Sequence, residues 1–98
     1  MKRAQRRRVE RFAAQLPALA RILANGANAG LALPAGIALA ANELAEPAAH
    51  EMWLTSEALR YGRTLESALA DLRERLPSQE VGVMVSTLLV QQLSLIHI

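Results

Sequence analysis

The chain has no cysteine, two histidines and three aromatic residues. The absence of cysteine excludes a disulfide scaffold, a thiol nucleophile and any thiolate-ligated zinc or iron–sulfur site, and it accords with a reducing compartment. His50 and His97 are too few for a multi-histidine metal centre. Scarce aromatics leave little for a β-sandwich core, whereas nineteen alanines among 98 residues favour close-packed helices. Low-complexity linkers and repeats of solenoid period are also missing, so nothing divides the chain. At 10.6 kDa it is one small domain, and with 52% hydrophobic and 20% charged residues it is too apolar to stay unfolded. The expected class is all-α.

Charge is present but unevenly placed. Residues 1–11 carry Lys2, Arg3, Arg6, Arg7, Arg8 and Arg11 against Glu10, a net of +5, while the other 87 residues carry five basic and eight acidic groups, a net of −3. The basic pI therefore belongs to the amino-terminal arm. An arm of this kind is drawn to phosphate, on nucleic acid or on anionic lipid, while the body of the domain repels both. Drawn as a helix, it sets Arg3, Arg7 and Arg11 on one stripe and lacks the apolar face of an interfacial anchor. No aromatics interleave with the arginines, which argues against single-strand recognition. A plainly solvated tail is the alternative to both.

Neither a signal peptide nor a spanning segment is expected. Gln15, Pro17 and Arg21 interrupt any apolar run behind the basic start. Two stretches, 22–42 and 81–98, lack acidic and basic residues. The first is broken by Asn25, Gly26, Asn28, Gly30, Pro34 and Gly36, and the second by Ser86, Gln91, Gln92 and Ser94.

Apolar spacing lays out the helices. Phe12, Leu16, Leu19 and Leu23 step by four, three and four, with Pro17 either kinking this helix or opening a new one. Gly30 closes it. Pro34 suits the first turn of a second helix carrying Leu33, Ile37, Ala40, Ala41 and Leu44. Pro47 opens a third through Met52, Trp53 and Leu59, which stops at Gly62. Thr64 caps a fourth with Leu65, Ala68, Leu69, Leu72 and Leu76 on one face, and Asp71 is spaced to pair with Arg75. Pro77 ends it, and Ser78 caps a fifth with Val81, Met84, Val85 and Leu88 inward. The run Val81, Val83, Val85 also fits a strand, but no partner strand is in sight. Short connections make consecutive helices antiparallel, giving a compact bundle of about five helices.

Catalytic motifs are missing. There is no glycine-rich phosphate loop, nucleophile elbow or zinc-helix motif. His50 and Glu51 are adjacent and so point in different directions from a helix, and Glu43, Glu46, Glu51 and Glu57 read as a scattered solvated face. The chain is not expected to be an enzyme, and no cofactor, metal or small-molecule substrate is implied.

The order of motifs resembles a known family. Leu16-Pro17, Leu23-Ala24, Ala29-Gly30-Leu31-Ala32-Leu33-Pro34 and Ile37 resemble the opening of the type II secretion system F domain, in the single-domain form of TadB-type platform proteins of the Tad pilus. Arg60, Gly62, Leu65-Glu66, Ala68-Leu69, Leu72 and Arg75 match its Gly-x-x-Leu-Glu-x-Ala-Leu-x-x-Leu helix, and Pro77-Ser78 with the apolar segment 81–91 matches the next element. The resemblance implies a six-helix bundle on the cytoplasmic face of the bacterial inner membrane. Its role would be a non-catalytic scaffold that couples a secretion ATPase to pilin insertion beside a sister platform protein.

On that reading, residues 1–11 form a basic juxtamembrane-like arm, 12–92 the bundle, and 93–98 a tail outside the family pattern. Lys2, Arg3, Arg6, Arg7, Arg8 and Arg11 would lie on anionic lipid. Arg60, Arg63, Arg73 and Glu74 would face a partner, and Gly30, Pro34 and Gly62 would serve turns. The runner-up is a small nucleic-acid-binding helical protein that uses the same arm. Two departures carry physical consequences. Gly26, Ala27 and Asn28 replace stronger helix formers and should weaken the end of the first helix. The sixth helix has no counterpart after Gln92, so an apolar face is left in water, at about 1.5–3 kcal/mol per large side chain. A marginal or self-associating domain is expected.

Overall fold

Proline and glycine punctuate the chain into five helices in the computed structural model, which describes residues 2–96, with side chains through 92. They are α1 (Arg3–Asn28), α2 (Leu33–Glu43), α3 (Ala48–Arg60), α4 (Leu65–Arg75) and α5 (Gln79–Ile96). The described residues contain no strand, so Val81, Val83 and Val85 are helical. Val81 and Val85, four apart, are buried while Val83 is exposed, as a 3.6-residue period requires. Among the described residues no helix is long and apolar enough to cross a membrane. The tail expected at 93–98 lies outside the described side chains, and His97 lies outside the described residues altogether.

α1 runs without a break from Arg3, through the expected boundary between arm and bundle and through Pro17, which lies inside the helix on its exposed side. Its carboxyl end is helical through Asn28. Two backbone bonds close it, Leu31 N–H to Gly26 O at 2.8 Å and Gly30 N–H to Ala27 O at 3.0 Å, with Gly30 at φ +90°. This is a Schellman motif, and it offsets the weak helix formers there. The α3–α4 turn repeats it: Arg63 N–H bonds Ala58 O and Gly62 N–H bonds Leu59 O, with Gly62 at φ +96°.

The caps follow the sequence. Pro34 sits in the first turn of α2. Thr64 Oγ1 accepts from Ser67 N–H, and Ser78 Oγ accepts from Val81 N–H. α3 has no side-chain cap of its own at Pro47. Its free donors find other acceptors: Ala48 N–H bonds Gln15 Oε1 at 3.0 Å and His50 N–H bonds Glu46 Oε1 at 2.7 Å. Gln15 Nε2 also donates to Ala45 O, so one α1 side chain holds the α2–α3 connection.

Each helix packs on its successor, α2 against α3 most extensively, and α1 also touches α3. The core takes Phe12 and Leu19 from α1, Ile37 and Ala40 from α2, Met52 from α3, Leu69 and Leu72 from α4, and Val81 and Val85 from α5. Gly36 lets α2 approach α1 closely, because a Cβ there would come within 3.2 Å of Leu23 Cδ2. The molecule measures 44 × 24 × 23 Å.

Candidate functional site: a basic helix end anchored by Glu51

Phe12 and Leu19 fix the inner face of α1, and at about 100° per residue the opposite face collects Arg3, Arg7 and Arg11. Lys2, Arg3, Arg6, Arg7 and Arg11 are all exposed, and Arg21 extends the outward stripe. The amino end of α1 has no side-chain cap and no acidic residue in its first turn. Four unpaired backbone donors and the positive end of the helix dipole thus coincide with cationic side chains. This arrangement is locally unfavourable, since neither a cap nor an acidic side chain offsets the positive end of the dipole.

Arg8 departs from this group. It lies four residues before Phe12, shares the inner edge of α1, and its Nη2 donates to Glu51 Oε2 at 2.9 Å. Arg75 Nε, from the last turn of α4, donates to Glu51 Oε1 at 2.7 Å. Glu51 is only 3% exposed, so the expected solvated acidic face does not hold at this position. Apolar spacing dictates its burial: Ala48, Glu51, Met52 and Thr55 form the inner stripe of α3. Thr55 returns its hydroxyl to Glu51 O at 2.9 Å. One carboxylate therefore ties three helices, with each oxygen bonded to a different arginine. Arg75 Nη2 is buried without a hydrogen-bond partner.

The pairing expected between Asp71 and Arg75 is replaced. Asp71 accepts instead from Arg63 across the α3–α4 turn, and Arg63 Nε also donates to Ser67 Oγ at 3.0 Å. The hydrogen bond from Arg63 holds the Asp71 carboxyl below its ordinary range, against a small opposing desolvation, and the same bond raises Arg63.

The four partner-facing candidates do not converge. Arg60 pairs with Glu57 at 3.4 Å and lies 5.9 Å from the centre of the Tyr61 ring, beside Arg63 at one turn. Arg73 and Glu74 are exposed on the last turn of α4, about 15 Å away along the helix by its rise per residue. Two of the three aromatics are surface residues: Tyr61 is 79% exposed and Trp53 51%, the latter stacked on His50 at 6.0 Å. Sequence reading missed both exposures. Their neighbours gave the signal, since Met52 and Thr55 claim the inner face of α3 and leave Trp53 outside.

The second feature is an apolar groove of about 780 Å³ between the carboxyl half of α1, the start of α2 and α5, floored by Leu16, Leu23, Leu33, Met84 and Leu88. Among the described residues no group of three or more His, Cys, Asp or Glu is placed to hold a metal ion. No family model, curated protein or solved structure matches the chain.

Proposed function

We propose that this chain is the helical interaction module of a bacterial inner-membrane platform for pilus assembly or type II secretion. Its basic pole lies on anionic lipid at the cytoplasmic face, and the bundle acts as a non-catalytic scaffold for a secretion ATPase and a sister platform protein. The order and spacing of Leu16-Pro17, the Ala29–Pro34 turn and the Gly62–Leu72 block support the family reading.

One observation carries the membrane reading: Lys2, Arg3, Arg6, Arg7 and Arg11 are exposed on the first turns of a helix whose inner face belongs to the core. This helix presents its cations together at one end. Near an anionic leaflet each Lys or Arg contributes about 1 kcal/mol, so five acting together outweigh the net negative charge of the remaining bundle. The outward stripe has no large apolar side chain, which favours surface adsorption over insertion.

The test is co-sedimentation of the full chain with phosphatidylserine-containing vesicles, with neutral phosphatidylcholine vesicles and with duplex DNA, each over a salt series. Binding to the anionic vesicles that weakens with salt, with little binding to neutral ones, is the expected result. Tight duplex binding with a steep salt slope and no vesicle preference overturns it in favour of nucleic-acid binding.

A further inference from the structure

The groove between α1, α2 and α5 is lined mainly by apolar side chains, among them Leu23, Met84 and Leu88. Among the described residues five large hydrophobic side chains are exposed, and three of them, Leu31, Val83 and Val90, belong to the groove or to α5. Leu31 and Val83 line the groove itself, and Val90 continues the exposed side of α5 beyond it. α5 packs chiefly on α4, and its half-buried Met84, Leu88 and Leu89 are only partly covered by the core.

We infer that a second copy of this chain covers the groove, with the two α5 helices paired antiparallel about a twofold axis near Thr87. Three observations support a second copy in this arrangement. The first is the exposed ridge itself. Val83, Thr87 and Val90 step by four and three along one side of α5, so the ridge has the same chemistry in either direction. Antiparallel pairing sets Val83 against Val90 of the second copy and Thr87 near its own equivalent. A twofold interface demands such self-complementarity.

The second is polarity at the ridge centre. The Thr87 hydroxyl donates to Val83 O at 2.8 Å within its own helix, so burying it leaves no donor unsatisfied. The third is charge. Glu80 is the single charged residue in the sequence of α5, and it lies at one end of the groove while Gln91 and Gln92 lie at the other. Antiparallel pairing brings each Glu80 carboxylate toward the glutamine amides of the second copy. It also separates the two carboxylates by about 20 Å, beyond the Debye length of about 8 Å, whereas parallel pairing would place them together. Arg3 and Arg7 lie toward the opposite end of α1 from the groove, so both copies keep these two arginines free.

Sedimentation equilibrium of the full chain from about 1 µM to about 200 µM is expected to show a reversible monomer–dimer equilibrium. Val83→Glu and Val90→Glu, at positions already exposed, should keep the helical circular dichroism and weaken the dimer at least about tenfold. The absence of cysteine allows a geometric check: Thr87→Cys should form an intermolecular disulfide under mild oxidation, and Ser56→Cys on α3 should not. A monomer across the whole range overturns the inference. So does a dimer that survives both glutamate substitutions, or one in which Thr87→Cys fails to link.

Discussion

Arg8 and Glu51, 43 positions apart, meet at 2.9 Å, and this bond converts the start of a polybasic segment into a fixed part of the bundle. Glu51 is the buried member, with its side chain 4% exposed against 36% for Arg8 and 33% for Arg75. A carboxylate removed from water needs both of its partners. Substituting Glu51→Gln keeps the shape but leaves two arginines without their counter-ion, one of them already carrying a buried unpaired Nη2. The expected loss is about 2–4 kcal/mol, the lower part of the range reflecting the one-third exposure of both guanidinium groups. Urea denaturation of wild type and variant checks this, and a variant within about 0.5 kcal/mol of wild type contradicts it.

Gly30 and Gly62 both hold left-handed backbone, whereas Gly26 and Gly82 are ordinary helical residues. The two classes should respond to alanine with opposite signs. Gly30→Ala and Gly62→Ala should each destabilise by about 1–2 kcal/mol, because a Cβ is strained at positive φ even with open space around it. A Cβ at Gly82 would lie 3.7 Å from Arg73 Nε and one at Gly26 3.4 Å from Leu31 Cδ1, both ordinary contacts. Gly82→Ala and Gly26→Ala should therefore stabilise by about 0.5–1 kcal/mol through helix propensity. Thermal melts of the four variants separate the classes.

The Arg63–Asp71 pair gives stability a dependence on acid. The Asp71 carboxyl is held below its ordinary value of 3.8 by the Arg63 hydrogen bond, so the folded state binds this proton less readily than the unfolded state. The contribution is complete above that value and is lost as pH falls through the depressed one. Asp71→Asn should remove this share of the acid loss and leave a flatter stability curve below about pH 4. Melting temperatures of both proteins from neutral pH into that range check the sign, and parallel curves would contradict it.

How much of this was legible in the sequence depends on whether the signal is local. Leucine spacing, Pro34, Pro47 and Pro77, the two turn glycines and the caps Thr64 and Ser78 act within one or two turns of chain, and each appears where its chemistry places it. The Glu51 cluster is not local, since its arginines come from 43 positions before and 24 after. A trace of it was present: Ala48, Met52 and Thr55 define an inward stripe on which Glu51 must fall, and Arg8 is one turn before Phe12. Reading Glu51 with Glu43, Glu46 and Glu57 as one solvated face hid that trace. The Asp71–Arg75 spacing misled for a related reason, because Arg75 is three residues past buried Leu72 and turns inward to a stronger partner.

The last prediction separates two roles within one run of arginines. Arg7 and Arg8 are neighbours in sequence, yet Arg7 is exposed on the outward stripe and Arg8 is turned to Glu51. If the outward cations adsorb to lipid, Arg7→Ala should weaken binding to phosphatidylserine vesicles about fivefold, the equivalent of about 1 kcal/mol, and leave the urea midpoint unchanged. Arg8→Ala should do the reverse, lowering the midpoint while changing vesicle affinity by less than about twofold, because Arg8 is turned inward to Glu51 and away from the outward stripe. Equal effects of the two substitutions on vesicle binding would mean that the arm acts through total charge alone, without the orientation that the Arg8–Glu51 bond imposes.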